Sequence, residues 1–278
     1  MRELLLEIWT SVRRNKLRTF LTGFSVAWGI FMLVILLGSG NGLKNGVESN
    51  FGDYATNSIT LYGGWTSKEW KGYDRNRRIH LTNRDLEILE KEFPEVDEVA
   101  ANSWLSSKKL AYGGNFMEAS LRGSLPKVAR IEGIKIAKGR FINEADIREY
   151  RKSALIDEET ALVLFQGADP LGKFIRVDSL VFKVVGVTKG DAMRNSATCI
   201  IPLTTGQLVY KANEPYINDA IITVKEIRTD REMEEFERRI KGRLAAEHDF
   251  DPTDDSAIWI NNTMERCLLY TSPSPRDS

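Results

Sequence analysis

Glycine and lysine fall at phosphate-loop spacing in Gly167-Ala168-Asp169-Pro170-Leu171-Gly172-Lys173, a pattern whose backbone amides and lysine can cradle phosphate. The next residue is Phe174, where that chemistry needs a Ser or Thr hydroxyl on magnesium. A helical pattern precedes the loop and a strand pattern follows it, the reverse of strand–loop–helix. Pro170 further stiffens a loop that must turn its amides inward. We therefore read a helix-to-strand turn. The cysteines, Cys199 and Cys267, and the histidines, His80 and His248, lack metal-ligand spacing. Cys199, between Thr198 and Ile200, reads as a buried free thiol. Asp157-Glu158 reads as a helix start and Asp254-Asp255 as a solvated loop. There is no nucleophile elbow, no paired-cysteine ligand set and no His-Glu-x-x-His. No catalytic, cofactor-binding or metal residues are expected, and the chain is read as a non-enzyme.

The dominant element is instead Thr19 to Leu43, which carries no Asp, Glu, Lys, Arg or His. About 25 residues of helix can cross a hydrocarbon layer about 30 Å thick. A helix apolar on every face needs lipid or a large protein interior around it. A cleaved signal peptide has a shorter apolar region, about 7–15 residues, so a retained anchor is favoured. Arg13, Arg14, Lys16 and Arg18 crowd its N-terminal side, and Lys44 alone follows closely. The positive-inside rule then puts the N-terminus in the cytoplasm and the rest outside. Residues 1–18 alternate apolar and basic side chains as an amphipathic segment on the inner lipid surface does. Gly23 and Ala27, and Ser25 and Gly29, fall four apart, a spacing that allows close helix contact in lipid but is also common in any membrane helix.

Beyond the anchor the composition is that of an ordinary folded domain. With 39 basic and 39 acidic residues there is no nucleic-acid footprint. Residues 44–265 hold enough chain for a real core. Asn57 to Tyr62 reads as a strand, followed by a polar loop, Gly63 to Arg78, that carries Trp65, Trp70 and Tyr73. Those aromatics suit a partner contact, or packing on the domain or the membrane surface. Thr82-Asn83-Arg84-Asp85 is a capping box before Leu86, Leu89 and Phe93. Strands are expected at Val96 to Ala100, Ser107 to Tyr112 and Phe116 to Arg122, the last two joined by Gly113-Gly114-Asn115. A short helix is expected from Asn143, a strand at Ala154-Leu155-Ile156, and a helix capped by Asp157. A hairpin covers Phe174 to Val177 and Val181 to Val187. Strand Thr198 to Ile201, a helix capped by Thr204 with Gln207 in the box position, and strand Asn218 to Val224 follow. The helix Asp230 to His248 carries a Met233, Phe236, Ile240, Leu244 stripe, and Ala257 to Ile260 is the last strand. This alternation indicates an α+β fold of split βαβ units.

Several segments in order resemble the MacB-type ABC transporter permeases. They are Arg14-Asn15-Lys16-Leu17-Arg18-Thr19-Phe20-Leu21-Thr22, Gly38 to Phe51, Gly139-Arg140-Phe141-Ile142-Asn143-Glu144-Ala145-Asp146, Asp169-Pro170-Leu171-Gly172-Lys173, Val184-Val185-Gly186-Val187 and Ile201-Pro202-Leu203. The resemblance implies an inner-membrane permease subunit with a porter-like periplasmic domain and a smaller inserted lobe, placed at about 125–197. It further implies a separate ABC ATPase subunit, a second permease copy as dimer partner, a periplasmic adaptor, and work in efflux or lipoprotein release by mechanical coupling. The family's second, third and fourth helices are absent from this chain, which reads as an N-terminal fragment. Residues 266–278 resemble an artefactual tail. The alternative is a single-pass anchored periplasmic sensory or binding module.

Overall fold

The computed structural model describes residues 16–51, 57–189, 197–212, 215–227 and 229–262. The amphipathic reading of Met1 to Asn15 and the tail at 266–278 lie outside the described residues. The chain divides into two compact units, 1–52 and 53–278, each described by itself.

The described residues of the first unit form one helix, α1 (Lys16–Phe51), 36 residues long. Its described side chains, Leu17 and residues 20–36, are all exposed. That run spans about 25 Å at about 1.5 Å per residue. Among the described residues no helix is long and apolar enough to cross a membrane.

The second unit begins with β1 (Ser58–Gly63), β2 (Leu81–Thr82) and helix α2 (Asn83–Glu92). Strand β3 (Val96–Tyr112) turns at Gly113-Gly114 into β4 (Asn115–Ser124). Next come α3 (Val128–Ile131), β5 (Ile136–Gly139), α4 (Glu144–Arg148), β6 (Ser153–Asp157) and α5 (Glu158–Phe165). The hairpin β7 (Phe174–Val177) and β8 (Leu180–Thr188) leads to β9 (Thr198–Pro202) and α6 (Leu203–Tyr210). The chain returns through β10 (Tyr216–Ile217), paired with β2, to β11 (Asp219–Val224), α7 (Asp230–His248) and β12 (Ile258–Asn262).

Strands β12, β1, β11 and β3 lie side by side in that order, every pair antiparallel. With α2 between β1 and β3, and α7 between β11 and β12, this is the split βαβ arrangement. Alternation along each strand builds the core layer by layer. Ile59, Ile222 and Val99 align in register, as do Leu61, Ala220 and Ala101. All are buried with Ile88 and Leu89 of α2 and with the α7 stripe Met233, Phe236, Ile240 and Leu244. Thr229 caps α7 through a reciprocal box with Glu232, which fixes where that stripe starts. On the opposite sheet face, Ala100 and Ile221 are covered by Val128 and Ile131 of α3.

Most of the insertion between β3 and β11 builds a second core. From β3 the pairing runs through β4, β9, β6, β8 and β7. It then returns to β3 at Leu110↔Val177 and Ala111↔Arg176, so six strands close on themselves as a small barrel. Closure leaves these strands no free edge. Ile175 and Val177 point inward while Phe174 and Arg176 point out. Leu110, Leu121, Ile156, Phe182, Val184 and Cys199 join them inside, with Leu164 and Phe165 of α5. Phe182 has no exposed surface, and truncating such a side chain to alanine typically costs about 3–5 kcal/mol.

Two sequence expectations change. Val96 to Ala100 and Ser107 to Tyr112 are one continuous 17-residue strand. Its middle, left outside both expected strands, includes Asn102-Ser103, which are polar yet buried and hydrogen-bonded. Helix α6 has Pro202 at its N-cap with no side-chain cap. The Thr204 hydroxyl instead donates to the Ile147 carbonyl at 2.7 Å, and Gln207 makes a reciprocal amide pair with Asn83.

Candidate functional site

The segments singled out for chemistry prove structural. In the Gly167–Lys173 loop, the Gly172 N–H donates to the Val184 carbonyl and the Val184 N–H donates to the Lys173 carbonyl, both at 2.8 Å. The loop is a turn that seats the β7–β8 hairpin. Asp157 caps α5 through the Thr160 N–H and also accepts from the Thr198 N–H, each at 2.7 Å. Cys199 is fully buried, and burial, with the nearby Asp157 charge, pushes its thiol up to about 12. His248, read as lacking metal-ligand spacing, sits with its Nε2 2.9 Å from Oδ1 of buried Asp85. Asp85 Oδ2 accepts from the Thr82 N–H at 2.7 Å, so one carboxylate starts α2 and ties it to the end of α7. Among the described residues no group of three or more His, Cys, Asp or Glu is placed to hold a metal ion.

The motif Gly139 to Asp146 is a latch on the barrel. The Asn143 side chain caps α4 and accepts from the Asp146 N–H at 3.0 Å. Asp146 in turn accepts from the Arg140 guanidinium at 2.5 Å and from the Ser153 hydroxyl at 3.0 Å. Burial pushes the Asp146 carboxyl up, but bonds from Arg140, the Asn143 backbone and Ser153 outweigh it and hold it below the usual carboxylate range. Gly139 lies at φ +75°, and a Cβ on Gly186 would meet the Arg140 carbonyl oxygen at 2.2 Å. Backbone approach this close admits only glycine.

The aromatic loop is exposed and organised. Trp65 is 52% exposed and Tyr73 48%, while Trp70 is partly covered. Trp70 and Tyr73 face each other across a backbone bridge, as do Trp65 and Arg78. Arg78 lies 5.4 Å from the Trp65 ring centre and Arg77 4.4 Å from that of Tyr73, within cation–π range. Asp254, read as solvated, is instead buried. Its Oδ2 accepts from the Ser67 and Lys68 N–H groups at 2.6 and 3.1 Å. Its Oδ1 accepts from the Ser67 hydroxyl at 2.8 Å and the Ser256 N–H at 3.0 Å. Burial raises this carboxyl, and those four bonds more than reverse the effect, so its pKa is lowered. Arg77 Nη2 donates to the carbonyls of His248 and Asp249 at 2.7 and 2.5 Å, satisfying carbonyls that the end of α7 leaves unpaired. Lys71 pairs with Asp249 at 3.1 Å. The loop is thus pinned at several points, and its aromatics are displayed on a fixed frame. Beside it, Trp259, opposite Tyr62 in register, is 63% exposed.

A site that the sequence did not suggest lies where β3 and β4 pass from one core to the other. Asn102 Nδ2 donates to Glu132 Oε1 and to Asp219 Oδ2, both at 2.8 Å, and its Oδ1 accepts from the Ser124 hydroxyl at 2.7 Å. Arg122 donates to Glu132 Oε2 at 2.8 Å and stands 5.5 Å from the Trp104 ring centre. Asn102, Arg122, Ser124 and Asp219 are all buried. Nearby, Lys211 donates to Ser103 Oγ and Asn218 Oδ1 and lies 3.6 Å from the Tyr216 ring centre. Burial draws its ammonium pKa down to about 8. These polar residues are scattered from 102 to 219, and only the register brings them together.

On α1, a Cβ added at Gly23 or Gly29 would meet nothing within 4 Å. The Ser25 hydroxyl is satisfied by the Leu21 carbonyl at 2.8 Å, the usual way a hydroxyl is accommodated within a helix. Ala27 is exposed like its neighbours.

Comparison with known proteins places this fold. The chain is similar to two proteins called macrolide export ATP-binding/permease protein MacB. The one from Wolinella succinogenes is 26% identical over 245 residues, 86% of this chain and 36% of that protein. The one from Vibrio parahaemolyticus is 32% identical over 221 residues, 76% of this chain and 32% of that protein. This chain therefore spans about a third of the length of these relatives. The fold is shared with the crystal structure of the periplasmic region of MacB from Actinobacillus actinomycetemcomitans, at TM-score 0.63 and 22% identity, covering 81% of this chain and 97% of that one. It is also shared with the extracellular domain of the noncanonic ABC-type transporter YknZ from Gram-positive bacteria, at TM-score 0.60 and 17% identity, covering 74% and 100%. The MacB-like periplasmic core domain family matches residues 19–243, and the chain belongs to that family.

Proposed function

We propose that this chain is the non-catalytic, membrane-anchored part of a permease that couples ATP hydrolysis on another subunit to movement of its periplasmic domain, in efflux or lipoprotein release. The observation that carries this reading is where the chain enters and leaves the split βαβ sheet. Entry at Ser58 and the last described residue, Asn262, lie at one end of adjacent strands, with Ile59 opposite Asn262. A domain looped out between two membrane helices needs both of its connections at one end. The uncharged run Thr19 to Leu43 supplies the first crossing, with the N-terminus in the cytoplasm and residues 44–265 in the periplasm. Gly23, Ser25, Ala27 and Gly29 give that helix a smooth stripe for close packing against companion helices or a second permease copy. Trp65, Trp70 and Tyr73, held on the pinned loop, are rigid contacts for a periplasmic adaptor, because a pre-formed surface loses little entropy on binding.

The test is topological. In spheroplasts of cells expressing the full chain, protease added outside should digest the domain and spare an N-terminal tag. A protected domain with a digested tag refutes the orientation and the permease reading with it.

A further inference from the structure

We propose that the buried polar joint formed by β3, β4, β11 and the end of α3 is a proton-operated latch that sets how firmly the barrel is held against the split βαβ sheet. Two independent features of the geometry point to it. The first is a hinge. Strand β3 continues from one core into the other, with Val99 and Ala101 in the first and Leu105 and Leu110 in the second, where β4 pairs with it. Its register slips between Trp104 and Ser107, and Ser106 sits at φ +65°, a conformation that non-glycine residues adopt at a cost. Bulges of this kind bend and twist a strand locally.

The second feature is an unbalanced buried charge set directly beside that bulge. Glu132 and Asp219 are negative and Arg122 positive, and Arg122 is bonded to Glu132. With all three ionised the joint carries one excess negative charge; with Asp219 protonated it carries none. A single amide nitrogen, Asn102 Nδ2, bridges both carboxylates. Asp219 Oδ1 is buried without a hydrogen-bond partner at bonding distance. An ionised carboxylate in such a place is costly, and protonation removes the cost. The groups facing Asp219 are Asn102 and Trp104 on β3, Arg122 on β4, Glu132 after α3, and Tyr62 opposite it on β1. Burial raises the Asp219 carboxyl to about 6, Glu132 adds to the rise, and Asn102, Arg122 and Trp104 oppose it. From about pH 5 to about pH 7 the ratio of ionised to protonated Asp219 therefore rises about a hundredfold. Other ties also cross the joint, among them the Asn83–Gln207 amide pair, the Lys211 bonds to Ser103 and Asn218, and Leu203 in the sheet core. The latch thus adjusts the stiffness of a connection that persists in both states.

The experiment is a distance measurement between spin labels on the full chain in lipid nanodiscs. Cys267 is replaced by serine, and labels are placed at E159C on α5 and E234C on α7, both exposed positions; buried Cys199 stays unlabelled. A narrow distance distribution at about pH 5 should broaden or shift by about 2 Å or more at about pH 7.5, with a midpoint near the Asp219 titration. D219N should keep the narrow distribution at both pH values. E132Q, which removes the neighbouring negative charge, should move the midpoint to lower pH. Identical wild-type distributions at the two pH values overturn the proposal. So does a D219N chain that responds to pH as the wild type does, or, where D219N does not fold, an E132Q chain with an unmoved midpoint.

Discussion

Replacing Asp254 by alanine tests whether the aromatic loop is held as firmly as its bonding indicates. The carboxylate accepts three backbone N–H groups, from Ser67, Lys68 and Ser256, and one hydroxyl. Alanine leaves those N–H groups without their acceptor. An orphaned donor costs about 1–3 kcal/mol when fully buried; the site is part-buried, so about 1 kcal/mol each is appropriate, and the expected loss is about 3 kcal/mol. For a folded unit of about 200 residues this lowers Tm by about 6–12 °C. S67A removes only the hydroxyl and should cost about 1 kcal/mol. The second readout is local. The loop holds Lys68, Lys71, Arg75, Arg77 and Arg78, all trypsin sites that the pinned backbone should protect. D254A should be cut there well below its global Tm, while the wild type resists. A D254A chain within about 1 °C of wild type, with unchanged trypsin resistance, refutes the claim that this carboxylate fixes the loop.

Asp219 contributes stability that is lost as pH rises. Its folded pKa, about 6, lies above the ordinary 3.8, so the folded state binds more protons than the unfolded state between those values. Stability from this group is therefore complete below about pH 4 and falls by about 3 kcal/mol in all as pH rises through 6. Urea unfolding at about pH 4.5 and about pH 7 should show that decline in wild type and a flatter profile in D219N. Asp146 and Asp254, whose pKa values are lowered, act oppositely and withdraw stability as pH falls through their folded values. In the barrel, G186A should destabilise by more than about 2 kcal/mol, because its methyl would sit 2.2 Å from a carbonyl oxygen and backbone must move. An unchanged midpoint in thermal unfolding would contradict that close contact.

Much of the scaffold was legible because its signals are local. Thr82 and Asp85, Asn143, and Asp157 mark helix starts by hydrogen bonds spanning only three residues. The α7 stripe repeats at helical spacing, and its four expected residues are all buried, with Ala245 beside them. What stayed hidden depends on pairing between distant segments. Nothing in Phe174 to Val177 announces that this hairpin returns to β3 and closes a barrel, since that contact is set by register. Asn102 and Ser103 fell outside the expected strands for the same reason, because their partners lie up to 117 residues away. Asp254 read as solvated because its donors sit on a loop 187 residues earlier. The aromatics were found by composition, whereas the frame that fixes them is the Asp254 carboxylate beyond α7 and the carbonyls at the end of that helix.

The shared ribbon also limits how such domains can be recombined. Leu105 and Leu110 of β3, with Ala119 and Leu121 of β4, are walls of the barrel, while Val99 and Ala101 on the same β3 strand belong to the other core. A graft cut at 125 and 197 would leave those four walls, together with Cys199 and Ile201, behind in the host. Exchange of the insertion between relatives would therefore have to carry the distal halves of β3 and β4 and all of β9, with the splice at the bulge.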